Sequence, residues 1–97
     1  MNKITSINPS DGSIIAEITC STKVEVENKV KIANKAHSSW KNIGLGKRIS
    51  HLQKVIDNLT KRSEELAIMS AKEMGMPITM AHMDVADAIS YFQWYLD

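Results

Sequence analysis

One cysteine, two prolines, four glycines and five aromatic residues are all that 97 positions offer. With Cys20 alone, no internal disulfide can form, and a reducing cytoplasm is the expected compartment. The glycines are too few and too dispersed for a phosphate-cradling loop. Gly44 and Gly46 stand near each other, but no strand precedes them. An excess of one charge is also missing. Twelve basic residues, ten of them Lys, oppose eleven acidic ones for a formal net charge of +1, scattered along the chain. Such a distribution argues against a nucleic-acid groove and against an anionic membrane surface as partners. No apolar run approaches the ~20 residues needed to span a bilayer. Met1-Asn2-Lys3-Ile4-Thr5 leads into turn chemistry without the apolar stretch of a secretory leader. A soluble cytoplasmic chain is expected, either one small domain or a piece of a larger one. At this length only roughly 60–65% of the unfolded surface can be buried, which leaves a thin stability margin.

What is present falls into an ordered series of elements. Residues 4–19 read as a hairpin: Ile4 and Ile7 lead into Asn8-Pro9-Ser10-Asp11-Gly12, and Ser13–Ile18 resumes as a β-branched strand. Residues 22–42 read as a helix opened by Thr22-Lys23-Val24-Glu25, which fits a capping box. Its Val26, Val30, Ala33, His37 and Trp40 form a stripe at helical spacing that is expected to be buried. Residues 47–74 read as a helix pair. Ile49, Leu52, Val55, Ile56 and Leu59 share one face, and the polar stretch at Thr60–Glu65 places a break there with Ser63 as internal N-cap. Glu73-Met74-Gly75-Met76-Pro77 then stops that pair and launches a last helix over 78–97. On that helix Val85, Ile89, Phe92 and Leu96 line one face, and four of the five aromatic residues fall between Tyr91 and Tyr95. So wide an apolar sector implies packing against a substantial surface. The fold class expected is mostly α with a short N-terminal β-hairpin.

Each residue that could carry chemistry also has a plainer reading. Cys20 ends a predicted strand with no His nearby in sequence, so a structural thiol is favoured over a nucleophile. His37, His51 and His82 match no standard metal spacing. His37 is expected as a hydrogen-bonded core histidine, and His51 and His82 on solvated faces. Asp84 and Asp87 read as acidic residues near a helix N-terminus rather than as paired carboxylates. Met69, Met74, Met76, Met80 and Met83 surround Gly75, where soft thioethers suit an irregular helix junction better than a metal site. No self-sufficient active site emerges.

Taken in order, these segments resemble the N-terminal region of the NAD(P)-dependent aldehyde dehydrogenase superfamily. Ile7–Ile18 is similar to that family's opening hairpin, commonly Asn-Pro-Ala-Thr-Gly followed by an aliphatic strand. Val26 through Trp40 resembles its first helix, and Arg48, Leu52 and Leu59 match the skeleton of the second. Arg62-Ser63-Glu64-Glu65-Leu66-Ala67 with Glu73-Met74-Gly75-Met76-Pro77 matches the next helix and its Gly-Lys-Pro terminus, with Met76 standing in place of the usual Lys. Asp84 through Tyr95 resembles the helix that carries an aromatic Phe-x-Trp-Tyr end. The Arg-Ser-Glu-Glu and Glu-Met-Gly stretches are most like succinate-semialdehyde-type members.

The resemblance implies a fragment of the α/β aldehyde dehydrogenase fold, with residues 1–97 as one N-terminal segment. It implies NAD or NADP for the full-length family but no catalytic or cofactor-binding residue in this chain. The family's cofactor domain, general-base Glu, catalytic Cys and oxyanion-holding Asn all lie later, and Cys20 does not correspond to the nucleophile. The chain is therefore expected to be inactive alone. One minor family site is in range. Many members hold a structural monovalent cation with backbone carbonyls just before Asn-Pro and an acidic residue two before the Gly of Gly-Lys-Pro. Those positions are Ser6, Ile7 and Glu73, and oxygen donors suit a hard cation. Expected partners are the remainder of a dehydrogenase or further copies of the chain in a homo-oligomer. The alternative reading is a stand-alone helical module for self-association or protein binding.

Overall fold

Six elements follow one another in the computed structural model, which describes residues 2–97. Strands β1 (Lys3–Ile7) and β2 (Ile14–Thr19) form an antiparallel hairpin. Helices α1 (Lys23–Trp40), α2 (Leu45–Lys61), α3 (Ser63–Met74) and α4 (Ile78–Leu96) complete the chain. The fold class expected from the sequence is the one observed.

Turn chemistry shapes the hairpin. Asn8 Oδ1 accepts from the Ser10 amide at 2.9 Å, and Asp11 Oδ1 accepts from the Ser13 amide at 2.9 Å. These side chains mimic backbone turns. Gly12 closes the loop at φ 74, a left-handed conformation that is costly for any residue with a Cβ. Ser6 pairs with Ala16 but Ile7 with Ile14, so the register slips by one residue at Ile15. Such a bulge bends the strand and leaves the extra residue outside the regular ladder.

The capping box at α1 is fully formed. The Thr22 amide donates to Glu25 Oε2 at 2.7 Å, and the Glu25 amide donates to Thr22 Oγ1 at 3.2 Å. Yet no residue of α1 is buried. This corrects the expectation of a buried stripe: Val26, Val30 and Ala33 face open space, and His37 is an exposed histidine rather than a core one. The spacing is right, but no other element lies against it. The helix meets its neighbours near its C-terminal end, where the Trp40 ring lies 5.8 Å from that of His51 and Arg48 Nη1 donates to the Lys41 carbonyl at 3.1 Å.

A break divides the expected helix pair, but its chemistry differs from the expectation. Arg62, not Ser63, occupies the N-cap of α3, and it makes no side-chain cap hydrogen bond. Ser63 is the first helical residue. Arg62 instead donates from Nε and Nη2 to both Glu65 carboxylate oxygens, at 2.9 and 2.7 Å. The stop at Gly75 is a left-handed C-cap whose amide donates to the Ala71 carbonyl at 3.0 Å.

The helices form one layer. α3 and α4 share the most extensive helix contact, and α2 packs on α4. Among the described residues Ile56, Ala67 and Ala81 are the buried apolar ones, the two alanines with no exposed surface. The molecule measures 48 × 37 × 16 Å with a radius of gyration of 17.4 Å. A compact domain of this length would have a radius of gyration of about 12.5 Å. The thin dimension is little more than one helix with its side chains. Among the described residues, no helix is long and apolar enough to cross a membrane.

Candidate functional site

The turn after β1 and the end of α3 come together at a single point. A Cβ placed on Gly75 would lie 2.8 Å from Pro9 Cγ and 3.5 Å from Ser10 Oγ. Only glycine admits the proline ring so closely, and φ 70 at Gly75 independently favours it. Ser6 and Ile7 end β1 just before Pro9, and Glu73 lies in the last turn of α3, two residues before Gly75. The fold thus brings the two candidate cation-holding segments to one joint. Ser6 is half-buried, whereas Ile7 and Glu73 are exposed. Among the described residues, no three His, Cys, Asp or Glu side chains gather to hold a metal.

The other candidate residues are dispersed. Cys20 is a half-buried free thiol just beyond β2, its amide donating to the Asn2 carbonyl at 2.8 Å. His51 stacks obliquely near Trp40. His82 Nε2 lies 3.2 Å from Glu64 Oε2, an exposed pair that joins α3 to α4. The first turn of α4 holds no acidic residue. Asp84 and Asp87 lie further along that helix, where the dipole has little effect, so the helix-terminus reading does not account for them. Met69, Met74, Met80 and Met83 are exposed, with Met76 half-buried at the junction.

Electrostatic perturbation is confined to exposed local pairs. The Thr22 amide holds the Glu25 carboxyl below the usual carboxylate range. Hydrogen bonds from Ser13 do the same for Asp11, and the Arg62 guanidinium does so for Glu65. None of these groups lies in a cleft with an acid–base partner, so the arrangement offers structural ties rather than proton transfer.

Two features escape a reading of the sequence. Gln53 and Gln93 exchange amide hydrogen bonds, each 3.0 Å, between α2 and α4. The available signal was a polar amide set beside the apolar face of Ile89, Phe92 and Leu96. The second feature is a cleft of about 510 Å³ between the end of α1, the start of α2 and the end of α4, lined by Trp40, Leu45, Ile49, Leu52 and Tyr95 among others. It draws on three helices and has no single-segment signature.

The family model for the aldehyde dehydrogenase family matches residues 1–97. The chain belongs to the aldehyde dehydrogenase family. It is 35% identical over 95 residues to 1-pyrroline-5-carboxylate dehydrogenase of Staphylococcus aureus (strain MW2), a match covering 97% of this chain and 18% of that protein. It is 30% identical over 92 residues to succinate semialdehyde dehydrogenase [NAD(P)+] Sad of Escherichia coli (strain K12), covering 95% and 20% respectively. The fold is similar to the crystal structure of PnpE in complex with nicotinamide adenine dinucleotide. There the TM-score is 0.90 at 29% identity, covering 98% of this chain and 20% of that one. The chain spans about a fifth of the length of the curated aldehyde dehydrogenases it matches. The open single layer is therefore the shape of a corresponding fifth of a dehydrogenase.

Proposed function

We propose that residues 1–97 serve as N-terminal scaffold of an NAD(P)-dependent aldehyde dehydrogenase and carry none of its catalytic groups. The observation that carries this reading is the family match over the whole chain, and the likeness to NAD-bound PnpE supports it. Succinate semialdehyde is the substrate we favour for the whole enzyme, in keeping with the similarity to Sad. The scaffold's contribution is positional: a capped helix, a docked hairpin and an aromatic helix end offered to the rest of the enzyme. The chain alone, supplied with succinate semialdehyde and NAD+ or NADP+, is expected to produce no NADH or NADPH. Adding a relative shortened at its N-terminus should restore production. Steady turnover by the chain alone would sink the reading.

Within that scaffold, we assign Ser6 and Ile7 carbonyls and Glu73 as oxygen donors for a monovalent cation. The Pro9–Gly75 joint supports this, since it fixes the two segments that would share the ion. Oxygen donors with one carboxylate match a hard cation. Potassium or sodium chloride should then raise the thermal midpoint above that in choline chloride at equal ionic strength, and Glu73→Gln should abolish the difference. Equal midpoints in all three salts would refute the assignment.

A further inference from the structure

Five of the chain's six methionines fall within residues 69–83, on either side of Gly75. Adaptable thioethers suit an irregular helix junction, and Met76 fits that role, half-buried between Gly75 and Pro77. The others do not. Met74 is 68% exposed, Met83 65% and Met80 52%. Packing does not account for sulfur at these positions, because most of each side chain lies in water. What distinguishes a thioether there from every other apolar side chain is its ready two-electron oxidation. Only the segment 75–77 connects α3 to α4, and the two helices pack on each other. Met74 in the last turn of α3, and Met80 and Met83 in the first two turns of α4, therefore flank that segment. Met80 and Met83, three apart, are neighbours on one helix face. The flanked segment holds both Met76 and the Gly75 seat of the Pro9 ring.

We propose that Met74, Met80 and Met83 form a sacrificial oxidation site for hydroperoxides, taking up oxidant at the surface and sparing Met76 at the joint. In each event the thioether sulfur bonds to one peroxide oxygen as the O–O bond breaks. Sulfur gives up two electrons, and the departing hydroxide takes the proton of the transferred oxygen to leave as water. A dithiol reductant reverses the step, carrying the oxygen off as water and becoming a disulfide. Sulfoxides at the three exposed sites remain in solvent and disturb no packing. A sulfoxide at Met76 instead puts a polar oxygen into the half-covered turn beside the Pro9–Gly75 contact. The inference goes beyond the dehydrogenase reading and stands on side-chain exposure and thioether chemistry.

The test treats the full 97-residue chain, carrying Cys20→Ser to remove the competing thiol, with limiting hydrogen peroxide and maps the added oxygen by peptide mass spectrometry. Oxygen should appear first at Met74, Met80 and Met83, and severalfold more slowly at Met76. The thermal midpoint should hold through that first stage and fall by about 4–8 °C once Met76 is oxidised. With Met76→Leu, a swap of similar volume, exhaustive peroxide should leave the midpoint where it was. Replacing Met74, Met80 and Met83 together by Leu should shift oxygen to Met76 at the same limiting dose. Oxidation of Met76 as fast as the three exposed sites overturns the proposal, as does a midpoint that falls with the first sulfoxides. A triple variant whose Met76 takes up no additional oxygen overturns it equally.

Discussion

Val26, Val30, Ala33 and Trp40 repeat at helical spacing along α1, and every residue of that helix is exposed. In α3 and α4, by contrast, Ala67 and Ala81 have no exposed surface although each has the smallest apolar side chain. The first helix is specified by its own ends: a reciprocal Thr22–Glu25 cap requires nothing beyond four consecutive residues. The α3–α4 pair is specified by an opposing surface. A left-handed Gly75 reverses the chain, small side chains allow close packing, and Glu64 reaches His82 across the pair. Periodicity therefore defines a face, while burial needs something to face it.

The sharpest way to break this contrast is to enlarge a side chain in each region. Ala81→Leu should destabilise the α3–α4 pair by about 1–3 kcal/mol through overpacking. Val30→Leu in α1 should stay within about 0.5 kcal/mol, as expected for an exposed site. Amide hydrogen exchange resolved by helix would measure both, and equal losses would erase the distinction. A somewhat smaller effect is expected at the joint. Gly75→Ala forces a Cβ into left-handed backbone, costing about 1–2 kcal/mol, and into Pro9. Adding Pro9→Ala should recover the steric part and leave the backbone part. If the double variant is no better than Gly75→Ala, the ring contact has no energetic role.

The smallest effect is acid fraying, and it discriminates between the helices by their local ties. Glu25 and Glu65 both have folded-state pKa values below their unfolded ones, from the Thr22 amide and the Arg62 side chain respectively. Their stabilisation is thus present above the unfolded carboxylate pKa and is lost as pH falls through the lowered folded-state values. Carbon chemical shifts should show the first turns of α1 and α3 loosening in that acidic window. The first turn of α4, which has no acidic residue, should hold. Simultaneous loosening of all three would remove the Thr22–Glu25 and Arg62–Glu65 ties as the cause.

These contrasts also explain what could be read from the residues in order. The hairpin turn, the Thr22 cap and the Gly75 stop were legible because each depends on side chains within a few positions. The inward face of α4 was legible because Val85, Ile89, Phe92 and Leu96 are all half-buried there. Ser63 misled because a good capping residue stood one place beyond Arg62, whose guanidinium pairs with Glu65 instead. The α1 stripe misled because spacing carries no information about a neighbour's presence. The meeting of Ser6 and Ile7 with the Glu73 segment depends on a contact between residues 9 and 75, and only the family resemblance put those positions together beforehand.

That contact also sets an order of events during synthesis. The hairpin leaves the ribosome well before Gly75, yet its seat there does not exist until the intervening helices have been made. At roughly 5–20 residues per second, the wait is on the order of 3–13 s. A hairpin forms in roughly microseconds but is marginal by itself in water, so the two strands spend that interval without the Pro9–Gly75 contact that seats their turn. Nascent chains stalled before residue 75 should therefore show rapid amide exchange in both strands, and protection should rise once that glycine has emerged.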